Sequence, residues 1–350
     1  MTQSTPNSFK HWHMPQADAV GKNHIEFIKI LGGPTWITID GKDTSRQRAI
    51  VTLLHGNEPS GLKAIHQFIL SGRKPETNLG IFVVSVNAAL LHPYFSHRYL
   101  PGEADFNRCF KVKGFKESRE SNQEILAGKI SNTLKSYAPE AIIDTHNTSA
   151  HSDIFGVTVS SEKTVLQVAG LFSRKLVVLD QVLGTLIEQD LSCPIVTIEF
   201  GGFLDPKADK LAQNTLDKFI EASSLFRDEP KDIQLLERPL RLEINSTANL
   251  HYSSSVQDEA DITIFNTIDQ MNFSKIDANV SIGWTGNNGI NDLTVRSKDG
   301  NCIAEELFHE SEGFILTKIA MTIFMATTDA YIATNDCLMY LCPENSDVSA

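Results

Sequence analysis

Long apolar runs are missing from this chain of 350 residues. A membrane-spanning helix needs about 20 consecutive apolar residues. The longest candidate, Phe314 to Met325, is broken by Thr317, Lys318 and Thr322, so no membrane partner is expected. Basic charge is also scarce, with 31 Lys and Arg against 43 Asp and Glu and a formal net charge of −12. Phosphate backbones are held by surplus positive charge. No basic stripe with interleaved aromatics occurs, so nucleic acid is not an expected partner either. Cysteine is sparse: Cys109, Cys193, Cys302, Cys337 and Cys342 are odd in number and include no CxxC unit. That argues against a disulfide scaffold and for reduced thiols in a cytoplasmic protein. Residues 1–20 are polar, contain Pro6 and Pro15, and lack a basic-then-apolar leader pattern. Internal repeats and low-complexity tracts are absent as well.

What is present is a soluble-enzyme composition, 41% apolar, long enough for one large or two ordinary domains. Three apolar runs end in chemistry. Ala49 to Leu54 leads directly into His55-Gly56-Asn57-Glu58, Ala141 to Thr145 into His146, and Pro194 to Ile198 into Glu199. Catalytic zinc takes three protein ligands and keeps a fourth position for water or substrate. Such an ion lowers the pKa of its water to about 7 and polarises a carbonyl. His55, Glu58 and His146 make a ligand set for one zinc ion, and the same set accepts Co, Ni or Fe. A further carboxylate must move the water's proton, and Glu199 is the candidate.

Each residue has a plainer reading. A lone His after a strand is more often a hydrogen-bonded loop residue, but Glu58 three positions on and the flanking Gly56 and Gly61 favour ligation by His55. These glycines are expected to let the backbone turn tightly near an ion. His146 has Asp144 and Asn147 beside it as acceptors for its second ring nitrogen. A carboxylate in an apolar strand, as at Glu199, is rare unless paired or functional. His66 reads as a packing or exposed residue, His97 as a loop residue near Arg98, and Cys109 as a small packing residue.

The order and spacing of His55-Gly56-Asn57-Glu58, Asp105-Phe106-Asn107-Arg108, Asp144-Thr145-His146-Asn147-Thr148 and Glu199-Phe200-Gly201 resemble the succinylglutamate desuccinylase/aspartoacylase family, a branch of the zinc metallocarboxypeptidase fold. The resemblance implies zinc-activated water that removes an acyl group from an N-acyl amino acid. It also implies zinc held by His55, Glu58 and His146, proton transfer by Glu199, and a carbonyl oxygen steadied by Arg98. Asn107 and Arg108 would grip the substrate's α-carboxylate. The stretch Gly184 to Asp190, where aspartoacylase carries an arginine and a tyrosine that read its substrate's side chain, has neither residue here.

The arginines also make physical sense without the family. A guanidinium fork binds a carboxylate through two hydrogen bonds, and a small anionic substrate needs a local basic pocket on so acidic a protein. A salt bridge from Arg108 to Asp105 is the plainer alternative. Three functions fit these residues: a zinc-dependent amidohydrolase acting on an N-acyl amino acid or similar small carboxylate-bearing amide, a metallocarboxypeptidase on short peptides, and a non-catalytic metabolite-binding protein. A homo-oligomer is left open.

Apolar runs alternate with helical patterns through the first part of the chain, which predicts an α/β fold: a zinc-carboxypeptidase-like mixed sheet flanked by helices. Ligands in such sheets gather beyond the carboxyl ends of strands. Helices are predicted over 62–70, 119–137, 164–175 and 207–226. The latter half of residues 22–45 predicts a strand at Trp36 to Ile39, and Ile25 to Ile30 reads as its antiparallel partner. The charged stretch from Glu229 to Pro239 divides a catalytic domain, 1–228, from a smaller, mostly β domain, 229–350. There, Leu240 to Ile244 alternates, and Asn288-Gly289 and Asp299-Gly300 signal turns.

Overall fold

The computed structural model of the chain describes residues 7–110, 121–226, 232–335 and 337–344. They fall into two units: Met1–Asn147 with Ile154–Leu235, and Thr148–Asp153 with Leu236–Ala350. The expected boundary between residues 228 and 229 lies outside the described residues.

The first unit runs β1 (Lys10–His13), α1 (His24–Leu31), β2 (Thr35–Ile39), β3 (Asp43–Thr52), α2 (Ser60–Leu70), β4 (Thr77–Val83), α3 (Val86–Ala89), α4 (Asn122–Tyr137), β5 (Ile142–Thr148), β6 (Phe155–Thr158), α5 (Lys163–Ala169), β7 (Lys175–Val178), β8 (Ile195–Gly202), α6 (Pro206–Glu221) and β9 (Gln234–Glu237). The strands form one mixed sheet in the order β1-β2-β4-β3-β5-β8-β6-β7-β9. The fold is therefore α/β with helices alternating with strands, as the sequence pattern predicts. The second half of β3 is buried without alternation, the signature of an inner parallel strand covered on both faces. Its neighbours β4 and β5 both run parallel to it. Thr52 pairs with Thr145, so the residues that follow each strand emerge side by side. β8 lies next to β5, and Ile142 N donates to Pro194 O at 2.9 Å, which sets the starts of these two strands together.

The helices obey their local signals. α2 buries Leu62, Ile65, Phe68 and Ile69. α4 opens with a capping box between Ser121 and Glu124 and buries Leu126, Ile130 and Leu134 at four-residue spacing; the first two residues of the predicted span lie outside the described residues. α5 ends at Ala169 and α6 at Glu221, each earlier than predicted.

The expected strand at Ile25 to Ile30 is instead α1. Asn23 accepts hydrogen bonds from Ile25 N and Glu26 N, and Gly32 closes the helix in the left-handed conformation at φ +60°. Phe27, Ile28 and Leu31 are buried at helical spacing while Ile30 faces outward. The alternating β-branched residues mislead because both caps and the core-facing stripe favour helix over their strand propensity.

The second unit is mostly β. Its strands are β10 (Leu240–Ile244), β11 (Leu250–Ser253), β12 (Ile262–Phe265), β13 (Ser274–Ile276), β14 (Ser281–Thr285), β15 (Leu293–Val295), β16 (Phe308–Ser311), β17 (Phe314–Thr317), β18 (Met321–Phe324) and β19 (Met339–Pro343). They make two five-stranded sheets, β13-β18-β19-β10-β15 and β11-β12-β14-β17-β16. The apolar stretch from Phe314 to Met325 is thus two short strands. Two short helices, α7 (Ala304–Leu307) and α8 (Ala330–Asn335), accompany them. No helix of the described residues is long and apolar enough to cross a membrane.

Candidate metal centre

The turn that leaves β3 is made by Leu53, a buried residue held at φ +59°. A left-handed conformation at a leucine costs on the order of 1 kcal/mol and persists because the surroundings enforce it: Ser85 N donates to Leu53 O at 2.7 Å and Val84 N to Thr52 O at 3.2 Å. Gly56 lies in a tight turn, with Glu58 N donating to His55 O at 3.2 Å, and both glycines also make room for close neighbours. A Cβ at Gly56 would lie 2.6 Å from His97 O, and one at Gly61 would collide with Thr145 Oγ1. Gly56 lets the loop that carries Arg98 close in, with Gly56 N donating to Arg98 O at 2.8 Å. Gly61 lets α2 lie against β5.

His55, Glu58 and His146 come together, each offering a ligand atom within 4.8 Å of the others. All three are buried. His55 Nδ1 lies 2.9 Å from Glu58 Oε1, His146 Nδ1 2.7 Å from Glu58 Oε2, and the two Nδ1 atoms are 3.1 Å apart. The outer nitrogens face carboxylates: His55 Nε2 is 2.8 Å from Asp105 Oδ1, and His146 Nε2 is 3.0 Å from Asp144 Oδ2. When each Nε2 donates to its carboxylate, each Nδ1 turns a lone pair inward. Two lone pairs and a carboxylate then converge on one point, an arrangement that needs a cation. The donor set, two imidazoles and one carboxylate with carboxylates behind the imidazoles, fits a divalent metal.

The electrostatics agree. Burial opposes ionisation of Glu58, but His55 and His146 outweigh it and hold the carboxyl far below its usual range. Burial likewise disfavours charge on His146, yet Asp144 and Glu58 prevail and raise its pKa well above the ordinary histidine value. Without a metal, a proton is thus the cation this cluster draws. Asp105 is also depressed: burial works against it, and His55, Arg98 and Arg108 overcome it.

Glu199 sits on β8, half-buried, with Oε2 shut off from solvent and without a hydrogen-bond partner among the described residues. Burial pushes its carboxyl up to about 7, with Glu58 and Asp144 adding to the shift and His146 and Arg98 opposing it. A carboxyl poised near neutrality beside a metal cluster can take and return a proton. Two residues earlier on the same strand, Thr197 Oγ1 donates to Asp144 Oδ2 at 2.9 Å.

Arg98 reaches the cluster. Its Nη1 is 3.0 Å from Glu58 Oε1, and its Nε and Nη2 lie 3.1 and 3.0 Å from Asp105 Oδ2. The Asp105 ion pair that the sequence offers to Arg108 is therefore made by Arg98. Arg108 is exposed and donates from Nη1 to Asn107 O at 2.8 Å. Asn107 is buried, with its Oδ1 accepting from Leu186 N at 3.1 Å. That bond ties down the stretch from Gly184 to Asp190, whose Glu188 turns its carboxylate on Leu183 N, Gly184 N and Thr185 Oγ1. Its acidity is thus spent on its own backbone. Of the residues with plainer readings, His66 packs on Phe27 with Nε2 3.1 Å from Gly21 O, and Cys109 is buried with its thiol pushed up to about 12 by burial.

Sequence reasoning missed Asp105 as the partner of His55, and Thr197. The signal for Thr197 was its place two residues before Glu199 on a strand, hence on the same face. Asp105 carried none, since it lies 50 residues from His55.

The fold is mixed α/β, and at the carboxyl-terminal side of its inner strands it gathers a His-Glu-His cluster that could hold a metal ion. No protein-family model matches the chain, and no curated protein matches it. Solved structures do. It is similar to a succinylglutamate desuccinylase from Vibrio parahaemolyticus, with 13% identity over 93% of this chain and 96% of that one and a TM-score of 0.53. It is similar to a succinylglutamate desuccinylase/aspartoacylase from Rhodobacter sphaeroides, with 12% identity over 83% of each chain and a TM-score of 0.53. Murine aminoacylase 3 is also similar, with 15% identity over 86% of this chain and 96% of that one and a TM-score of 0.51. The chain has the fold of the succinylglutamate desuccinylase/aspartoacylase structures.

Proposed function

We propose that this protein is a zinc-dependent deacylase that hydrolyses the amide bond of an N-acyl amino acid or a similar small carboxylate-bearing amide. The convergence of His55, Glu58 and His146 on one point, backed by Asp105 and Asp144 and accompanied by a near-neutral Glu199, carries the reading. The names of the structural neighbours support it: they are desuccinylases, aspartoacylases and an aminoacylase.

His55, Glu58 and His146 would hold the ion. When bound, zinc supplies Lewis acidity, which lowers the pKa of a water and polarises the amide carbonyl. Glu199 accepts the proton of the attacking water and hands it to the departing amine. Arg98 places a guanidinium beside the cluster, where negative charge develops on the carbonyl oxygen. Arg108 and the Nδ2 hydrogens of Asn107 bind the substrate's carboxylate. Asp105 and Asp144 keep both imidazoles turned with Nδ1 inward. The sparse, irregularly spaced cysteines, with no CxxC unit, support a reducing, cytoplasmic setting.

The test is hydrolysis of a panel of N-acyl amino acids by zinc-loaded protein, with the acyl group and side chain varied separately and short peptides included. Turnover of an N-acyl amino acid is expected, falling about 10²–10⁴-fold in Glu199→Gln while metal stays bound. Undiminished turnover in that variant would refute the role of Glu199. Cleavage of peptides alone would make the protein a carboxypeptidase.

A further inference from the structure

A chain of hydrogen bonds runs from the surface into the metal cluster through residues the proposed reaction does not use. Lys63 on α2 and Asp209 on α6 form an ion pair, Nζ to Oδ2 at 2.7 Å, with both side chains partly exposed. The other oxygen, Asp209 Oδ1, accepts from Ser60 Oγ at 2.7 Å. Ser60 is wholly buried. A hydroxyl has one proton, and here it is committed to Asp209. Ser60 Oγ is thereby left as an acceptor, and Asn147 Nδ2 donates to it at 3.0 Å.

Asn147 is fixed on every side. Its Oδ1 accepts from Ser60 N at 3.1 Å, which caps α2 from outside, since Pro59 at the cap position has no side-chain bond to give. Its Nδ2 also donates to Gly201 O at 3.0 Å, two residues past Glu199. Its backbone N donates to Glu58 Oε2 at 3.2 Å. One buried residue, through its side chain and its backbone N, therefore joins the start of α2, the end of β8 past Glu199, and Glu58. Ser60 N and Gly201 O already set which way its amide faces; the Ser60 hydroxyl, with its proton given to Asp209, is the further acceptor that holds Nδ2 in place. Without Asp209, the hydroxyl rotor loses the acceptor that fixes it, and its bond to Nδ2 loosens.

We propose that Ser60 and Asp209 are positioning residues for the metal site: the Asp209 carboxylate fixes the Ser60 hydroxyl, which helps clamp the Asn147 side chain between the start of α2 and Gly201 O, and so steadies the residue whose backbone N holds Glu58. This rests on the metal reading of His55, Glu58 and His146. Outer hydrogen-bond partners of metal ligands typically affect metal affinity or activity by about 10–100-fold.

The experiment is a cobalt(II) titration of the full chain, read by the visible spectrum of the bound ion and by competition affinity, for wild type, Ser60→Ala, Asp209→Ala and Asp209→Asn. Urea midpoints are measured alongside. Ser60→Ala and Asp209→Ala are expected to bind cobalt about 10-fold more weakly or worse and to change its absorption bands, and kcat is expected to fall more than KM rises. Asp209→Asn, which can still accept the Ser60 proton, restores most of the wild-type spectrum. A purely structural role would lower the urea midpoint and leave the bands unchanged, and that result overturns the proposal. Should Ser60→Ala fail to fold, the partly exposed Asp209 pair of variants decides it. A wild type that binds no cobalt overturns the metal reading itself and is distinguished from failure of the relay.

Discussion

β3 has a charge cluster at each end, and the two are built on opposite principles. Near its amino end the protein supplies its own cation. Arg48 is fully buried, donating from Nε to Glu140 at 2.6 Å and from Nη1 to Phe219 O at 2.5 Å. Arg46 beside it bonds Asp43 at 2.7 Å and reaches Glu140 at 3.5 Å. Two guanidiniums face two carboxylates, and the charges cancel. Beyond the carboxyl end, Glu58, Asp105, Asp144 and Glu199 gather around two imidazoles, and Arg98 is the guanidinium that bonds into the group. Among the described residues, four carboxyls stand against one guanidinium bonded into the group, with Arg108 acting on Asp105 from farther off, so the group is short of positive charge. The deficit shows in the raised pKa of His146, which Asp144 and Glu58 hold protonated against its burial. Burying uncompensated charge is costly. A balanced cluster braces the strand, whereas an unbalanced one is a cluster that could hold a cation from outside.

That contrast can be broken from either end. The largest effect is expected from removing the cation at the carboxyl end. Chelation, or His146→Ala, should abolish amide hydrolysis, and saturating zinc at about 1,000 times its Kd should stabilise the wild type by about 4 kcal/mol, measured by urea unfolding with and without metal. The balanced end should answer in stability alone. Arg48→Met leaves Glu140 without its buried partner and should cost about 3 kcal/mol, with turnover per folded molecule unchanged; lost turnover in that variant would mean that the two ends are coupled. The smallest and sharpest effect concerns pH. In metal-free protein, folded Glu199 keeps its proton up to about 7, from an ordinary 4.5. The folded state therefore binds more protons than the unfolded chain between these values, and stability should fall as pH rises through that window. Glu199→Gln, which has no proton to lose, should show a shallower decline in a urea midpoint series from pH 4.5 to 7.

Much of the candidate site was legible in the sequence because its parts sit where apolar runs stop. A parallel inner strand reads as a continuous apolar run, so His55, His146 and Glu199 stood out as polar residues at the ends of such runs. Asp144 was visible as the backing acceptor of His146 because it lies two residues away on one strand. The partners that were not legible are distant in sequence. Ser60 meets Asp209 across 149 positions and His55 meets Asp105 across 50. Arg98 and Arg108 are equally plausible partners for Asp105 on spacing alone, and only the folded loop assigns it to Arg98. Residues 25–30 mislead for a local reason: Asn23 and Gly32 cap a helix, and those caps with the core-facing stripe outweigh the strand preference of three isoleucines.

By itself, then, the sequence determined the α/β alternation, the three strand ends that carry His55, Glu58, His146 and Glu199, and the change to β structure in the last third of the chain. These follow from hydrophobic periodicity and from the rarity of polar residues beside a core, both of which are properties of short stretches. Tertiary structure alone decided which carboxylates face the outer nitrogens of the two imidazoles, the pairing of Arg98, the near-neutral carboxyl of Glu199 and the brace through Asn147. Each of these is set by distance and burial between segments far apart in the chain, and electrostatic energy depends on that separation in space rather than on the order of residues along the backbone.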